Sequence, residues 1–287
     1  MDLSLIVIQA LNAVQYGLLL FLIASGLTLI FGVMGVINLA HGSFYMMGAY
    51  LAFSLAPLTG NLLATILVGL VLSALIGGLL EWALFSHLYR RNHLQQVLLT
   101  YGLILIFESL RSSFIGDEVH SVPVPGWLDF SVPLGSVMAY PAYRLFMSVV
   151  CLLVALGLYL LIQRTRLGSQ IRAGASNRDM VQILGINIDW VYRLVFALGV
   201  ALAAFAGMIN SPVTAVAPGM GTQMLIVSFV VVIVGGIGSV WGALVASQLI
   251  AFADTFGKVF VPDYAGMAIY VVMAIVLLWR PEGLFKS

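Results

Sequence analysis

Residues 5–31 read LIVIQALNAVQYGLLLFLIASGLTLIF, a run without a single Lys, Arg, Asp or Glu. An α-helix needs about 20 apolar residues to cross the hydrocarbon core of a bilayer, so this run crosses it with residues to spare. Outward from it the pattern continues: apart from Asp2, no Lys, Arg, Asp or Glu occurs before Glu81. That interval accommodates roughly three spans. The whole chain is 62% hydrophobic and 8% charged, with a mean hydropathy of +1.11. A water-soluble domain carries about 45–50% apolar and about 25% charged residues. Lipid is therefore the expected solvent. Backbone amides in lipid are satisfied within a helix or around a closed barrel, and the apolar runs lack the in-out alternation of barrel strands. The expected fold is an all-α polytopic membrane protein, one transmembrane domain over residues 1–287. The first Lys or Arg is Arg90, so the N-terminal segment lacks the basic start of a cleaved signal and is expected to remain as a span.

Nine apolar stretches follow one another at residues 5–31, 44–55, 62–80, 94–107, 145–162, 194–209, 224–234, 241–253 and 264–279, which predicts eight or nine crossings. Basic residues on short loops mark the cytoplasmic side. Arg90 and Arg91, then Arg164, Arg166, Arg172 and Arg178, and finally Arg280 and Lys286 place residues 163–190 and the C-terminus in the cytoplasm. Residues 117–142 begin with Asp117 and Glu118, carry Asp129, Pro123, Pro125 and Pro133, and have no Lys or Arg. They are expected to form an extracytoplasmic loop. The N-terminus then falls outside.

The 163–190 loop has helix signals of its own. Ser176 and Asp179 form a plausible capping box around Asn177 and Arg178, and Val181, Ile183, Leu184 and Ile186 supply an apolar face. Gly185 can end such a helix in a left-handed conformation. A short cytoplasmic helix with an apolar face is expected to dock on a partner; folding back onto its own membrane domain is the competing reading.

Enzymatic and metal chemistries find no footing. His41, His87, His93 and His120 lack metal-ligand spacing, the single Cys151 allows neither an intrachain disulfide nor a thiolate cluster, and no phosphate-binding glycine loop or nucleophile elbow occurs. A net charge of +1 argues against nucleic acid as a partner. Glu81, and Glu108 with Arg111 three residues on, read as structural charges near span ends, the latter two able to pair on one helix face.

Two glycine-rich interruptions stand out. Gly32 and Gly35 lead into Asn38, His41, Gly42 and Ser43; Gly235, Gly236 and Gly238 lead into Ser239, Gly242 and Ala243. Broken helices free backbone groups that are tolerated only in protein or along a water-filled path, and paired breaks in two halves point to an internal repeat around a solute pathway. Asn38, His41, Gly42, Ser43, Gly235, Gly236 and Gly238 are the candidate pathway residues. Capping, inter-helix bonding and close helix packing compete with that reading.

The stretch Ser25-Gly26-Leu27-Thr28-Leu29-Ile30-Phe31-Gly32, continued by Ile37-Asn38-Leu39-Ala40-His41-Gly42-Ser43-Phe44-Tyr45-Met46-Met47-Gly48-Ala49-Tyr50, strongly resembles the branched-chain amino-acid ABC transporter permeases of the LivH type, in the hydrophobic amino-acid uptake transporter family. Arg172-Ala173, Leu184-Gly185-Ile186, residues 229–243 and the closing Arg280-Pro281-Glu282-Gly283-Leu284-Phe285 extend the likeness over nearly the whole chain. The resemblance implies an importer in a bacterial inner membrane with a second homologous permease, two cytoplasmic ATP-binding subunits and a periplasmic solute-binding protein. ATP and Mg would be bound by those partners, with no cofactor on this chain. The 163–190 loop would be the coupling element, through Arg172, Ala173, Asn177, Asp179, Leu184 and Gly185. Around Asp179 and after Glu81 the sequence departs from the family pattern, so the implied solute extends from branched-chain amino acids to urea, short amides and aromatic or carboxylic acids. A secondary transporter working without ATPases is the rival class.

Overall fold

A computed structural model describes residues 3–89, 91–134 and 138–285. Asp2 lies outside the described residues, as do Arg90 and Lys286, counted above among the topology charges. Eleven α-helices occur among them: α1 (Leu3–Met34), α2 (His41–Thr59), α3 (Leu62–Ala83), α4 (His93–Phe114), α5 (Ala142–Arg164), α6 (Arg166–Ser176), α7 (Arg178–Ile183), α8 (Ile188–Asn210), α9 (Met220–Gly235), α10 (Val240–Phe260) and α11 (Ala268–Trp279). A two-stranded antiparallel hairpin, β1 (Ser131–Leu134) and β2 (Met138–Pro141), precedes α5.

Each of the nine apolar stretches has its helix. Six are long and apolar enough to cross a membrane: α1, α3, α4, α5, α8 and α10. The other three differ for physical reasons. α9 and α11 have 16 and 12 residues, so they reach about 24 Å and about 18 Å, short of the about 30 Å hydrocarbon core. α2 carries His41, Ser43, Tyr45, Tyr50 and Pro57 and buries most of its first three turns in protein.

α1 is the central post, packed on α5, α8, α9 and α10. In lipid no hydrophobic gain draws helices together, so close backbone approach and dispersion must do it, and small residues permit that approach. A Cβ on Gly26 would lie 2.8 Å from the Gly199 carbonyl, one on Gly48 2.0 Å from that of Ala204, and one on Gly207 2.0 Å from that of Tyr45. These contacts hold α1 and α2 against α8. By contrast, α4 and α5 leave large apolar side chains such as Leu98, Leu105, Leu152 and Leu156 exposed, as befits surfaces facing lipid or another subunit.

Polar residues between the helices serve largely as caps. Asn61, Asn92, Asn177, Asn187 and Ser239 each accept a first-turn backbone N–H through the side-chain oxygen. The cap of α7 is thus Asn177, accepting from Met180 at 3.0 Å. The capping-box spacing predicts Ser176 for that role, but Ser176 completes the last turn of α6; an Asn side chain in extended backbone reaches the exposed amide equally well.

The charges near span ends are paired. Glu108 and Arg111 meet at 3.1 Å as their spacing predicts, and Arg111 also holds Asp117 at 2.9 Å. The Arg111 guanidinium and the Ser112 hydroxyl hold the Asp117 carboxyl below the ordinary carboxylate range. Glu81, fully buried, pairs with Arg193 of α8 at 2.9 Å and accepts a hydrogen bond from the Tyr89 hydroxyl. Burial and the Glu81 carboxylate push the Tyr89 phenol well above its ordinary range. At the other end of the bundle, His120 and Val216 exchange backbone hydrogen bonds of 2.9 and 2.8 Å, tying the 117–142 loop to the α8–α9 connection.

Candidate functional site at the helix breaks

α1 stops at Met34, where Gly35 takes φ +65° and donates to the Phe31 carbonyl at 2.9 Å. The chain returns beside α1 through residues 35–40 and starts α2 at His41. Asn38 shapes this return: its Oδ1 accepts the Ala40 N–H at 3.1 Å. His41 lies against the middle of α1, its Nε2 donating to the Ile23 carbonyl at 2.9 Å. That contact assigns the ring proton to Nε2 and leaves Nδ1 an acceptor. Ser43 is buried in the first turn of α2, and Gly42 meets the α9 N-terminus, where an added Cβ would come within 2.1 Å of the Gly221 carbonyl.

Three buried polar atoms along this path have no hydrogen-bond partner among the described residues: Thr28 Oγ1, Asn38 Nδ2 and His41 Nδ1. Leaving a buried polar group unmatched costs about 1–3 kcal/mol. Elsewhere in the fold Tyr50 Oη and His120 Nε2 are likewise unmatched among the described residues.

The second break is tighter. α9 ends at Gly235, α10 starts at Val240, and Gly235 lies back to back with Gly242, a Cβ on the latter reaching within 2.0 Å of the Gly235 carbonyl. The closing residues of the chain cover this break. Leu284 and Phe285 donate to the Val234 and Gly235 carbonyls at 2.8 and 3.1 Å, satisfying groups that a helix end leaves open. A Cβ on Gly236 would strike the Phe285 carbonyl at 2.0 Å. Gly235 and Gly236 are thus committed to close packing. Gly238 faces the first break, its Cα lying 2.9 Å from a Cβ built on Gly32.

Between the two breaks and α6 is a cavity of about 520 Å3, walled by Thr28, Gly32, Arg172, Ser176, Gly238 and Val240 among others. Of the residues singled out in the 163–190 loop, Arg172 lines it. Arg172 donates to the Ile162 carbonyl at the end of α5, and Ala173 accepts the Asn177 N–H at 2.9 Å. Asp179 is in the first turn of α7. Gly185, at φ +83°, ends α7: its N–H bonds Gln182 and that of Ile186 bonds Val181, the paired closure of a Schellman motif. Just before it Ile183 and Leu184 remain 80% and 71% exposed, while Val181 turns inward.

Several contributors were not visible in the sequence. Arg193 is 112 positions from Glu81, and no spacing rule joins them. Arg178 lies over the rings of Tyr89 and Tyr192 at 5.6 and 5.2 Å and so fixes α7 to the body. Thr28 carried one signal, a hydroxyl within an apolar helix. Among the described residues no three His, Cys, Asp or Glu side chains gather as metal ligands.

Comparison with known proteins gives a consistent result. The family described as branched-chain amino acid transport system / permease component matches residues 9–277. The high-affinity branched-chain amino acid transport system permease protein BraD of Pseudomonas aeruginosa is 32% identical, over 96% of this chain and 94% of its own. The LivH permease protein of the corresponding Escherichia coli K12 system is 29% identical with the same coverage. The LivM permease protein of Salmonella typhimurium is 27% identical over 90% of this chain and 66% of its own. No solved structure matches significantly.

Proposed function

The chain belongs to the branched-chain amino acid transport system permease family, and from that membership we propose that it passes branched-chain or other hydrophobic amino acids through a bacterial inner membrane. It is a multi-pass permease component of an ABC importer and not itself an enzyme. In this reading it pairs with a homologous permease, two ATP-binding subunits that hold ATP and Mg, and an external solute-binding protein. Residues 163–190 and the C-terminus face the cytoplasm, and residues 117–142 face outward. The observation that carries the pathway is the broken α1–α2 connection with its three unmatched buried polar atoms. Asn38, His41, Gly42, Ser43 and Gly238 flank the path, with Gly235 and Gly236 bracing it. The exposed Ile183 and Leu184, held out by the cap at Asn177 and the Gly185 turn, form the surface for an ATPase.

The mechanism is alternating access. A ligand shifts a conformational equilibrium only by its differential affinity for the two states, so ATP-driven closure of the ATPase pair must act through α6 and α7 on the breaks. Arg172 on the α5 end and Arg178 on Tyr89 and Tyr192 are the mechanical links.

Reconstitution of the chain with its candidate partners tests this. ATP-dependent uptake of labelled leucine that collapses in Gly185→Pro, with assembly intact, supports it; proline cannot take the φ +83° of that position. Stimulated ATPase without leucine uptake discards the solute, and uptake by this chain alone without ATP discards the coupling.

A further inference from the structure

The cavity of about 520 Å3 between the breaks has a more specific chemistry than a passage needs. Its volume is in the range of small-molecule sites, about 300–1,000 Å3. Three features of opposite polarity meet in its wall. Arg172 brings a guanidinium that has no carboxylate within ion-pair distance among the described residues; its protein contact is the neutral Ile162 carbonyl. Val240 opens α10, whose first amides form the positive end of a helix dipole behind the Ser239 cap. Gly32 and Val33 belong to the last turn of α1, the negative end of a dipole, where carbonyls lack intrahelical donors. Thr28, only 1% exposed, adds a hydroxyl with no hydrogen-bond partner among the described residues. Leu29, Phe31, Ile171 and Ile237 supply apolar wall.

We infer that this cavity is a binding site for a zwitterionic α-amino acid, its carboxylate on Arg172 and the α10 N-terminus and its ammonium on the open carbonyls of the α1 C-terminus. Thr28 Oγ1 supplies a hydrogen bond, and the apolar wall receives the side chain. Half-helix ends of opposite sign serve zwitterions in this way because each fixed dipole meets the charge it favours. The inference rests on the import reading for its solute class, and it places the solute beside α6, the element that Arg172 fastens to α5. Movement of α6 then alters the site directly.

The test uses Thr28→Cys in a Cys151→Ala background, in the assembled transporter, with thiol reagents applied to the α6 face. An anionic methanethiosulfonate is expected to label the introduced thiol about tenfold faster than a cationic one of the same size, because one nearby cation acts across a partly hydrated gap. Arg172→Gln removes that preference and Arg172→Lys retains it. Leucine at ten times its Kd slows labelling about tenfold; leucinol and 4-methylpentanoate, each lacking one charge, do so far less. Ser176→Cys provides a second position in the same wall should Thr28→Cys not assemble. Equal rates for the two reagents, indifference to leucine, or equal protection by either one-charge analogue overturns the inference. Protection by leucine without ATP-dependent leucine uptake leaves the site standing and sinks the import reading; uptake without protection does the reverse.

Discussion

The α2–α8 crossing offers a quantitative test, through Gly48→Ala. An added Cβ at Gly48 would lie 2.0 Å from the Ala204 carbonyl oxygen, where ordinary contact begins at 3.4 Å, so the helices must part by about 1.4 Å (3.4 minus 2.0). Both atoms that collide belong to backbone or to Cβ itself, so no side chain can swing away. A gap of 0.5–1 Å already forfeits about a quarter to a half of each van der Waals contact. With several tens of atom pairs at about 0.1–0.2 kcal/mol each, the crossing then loses on the order of 3 kcal/mol. Replacing a helical glycine by alanine returns at most about 1 kcal/mol of backbone entropy. The sign is therefore destabilising. Gly102→Ala is the matched control: Gly102 lies within α4 and a Cβ there meets nothing within 4 Å. Unfolding of the purified protein in a mixed detergent–SDS series, followed by helical circular dichroism, should show Gly48→Ala unfolding well before wild type and Gly102→Ala at or after it. Gly207→Ala, which strikes Tyr45 in the same crossing, should add little once Gly48→Ala has separated the helices. If Gly48→Ala unfolds with Gly102→Ala, dispersion across this crossing is not what holds α2 to α8.

Three further outcomes follow from the ion pairs and the C-terminal segment. Arg193→Gln strands the buried Glu81 carboxylate and should cost about 3–5 kcal/mol, whereas Glu81→Gln leaves a guanidinium that is 34% exposed and can hydrate; equal losses in the same SDS series would contradict this asymmetry. Gly236→Ala should release the closing segment, so that hydrogen exchange at Leu284 and Phe285 rises about 30-fold for two lost bonds of about 1 kcal/mol each; unchanged exchange would show that the Phe285 carbonyl yields freely. Asp117, depressed by Arg111 and Ser112, stabilises the folded loop above the ordinary carboxylate pKa, and that contribution is lost as pH falls through the lower folded value. Its 13C-carboxyl titration should have a midpoint below about 3.9 and rise toward that value in Arg111→Gln, with Ser112 still bonded; a midpoint unaffected by that substitution would rule out the pairing as cause.

Legibility in the sequence followed the range of the interaction. The nine apolar stretches, the Glu108–Arg111 pair and the Gly185 helix stop were readable, because each depends on residues within a few positions or on gross partition into lipid. The α7 cap was displaced by one residue because Ser176 and Asn177 can both cap, and only the extended backbone at Asn177 selects between them. Within the pathway set, Asn38 and His41 have unmatched side-chain atoms and Gly235 and Gly236 have close packing partners, none of which a local pattern shows.

The sequence by itself determined that lipid is the solvent, that the backbone must satisfy itself in helices, and where those helices break, since these follow from hydropathy summed over some twenty residues and from glycine's lack of a side chain. Only the tertiary structure decided that the breaks meet at Gly32 and Gly238, that the C-terminal residues close the second break, and that Thr28 and Arg172 share one cavity. Those facts depend on contacts between positions far apart in the chain, set by how closely small residues let the helices approach, and no local pattern encodes them.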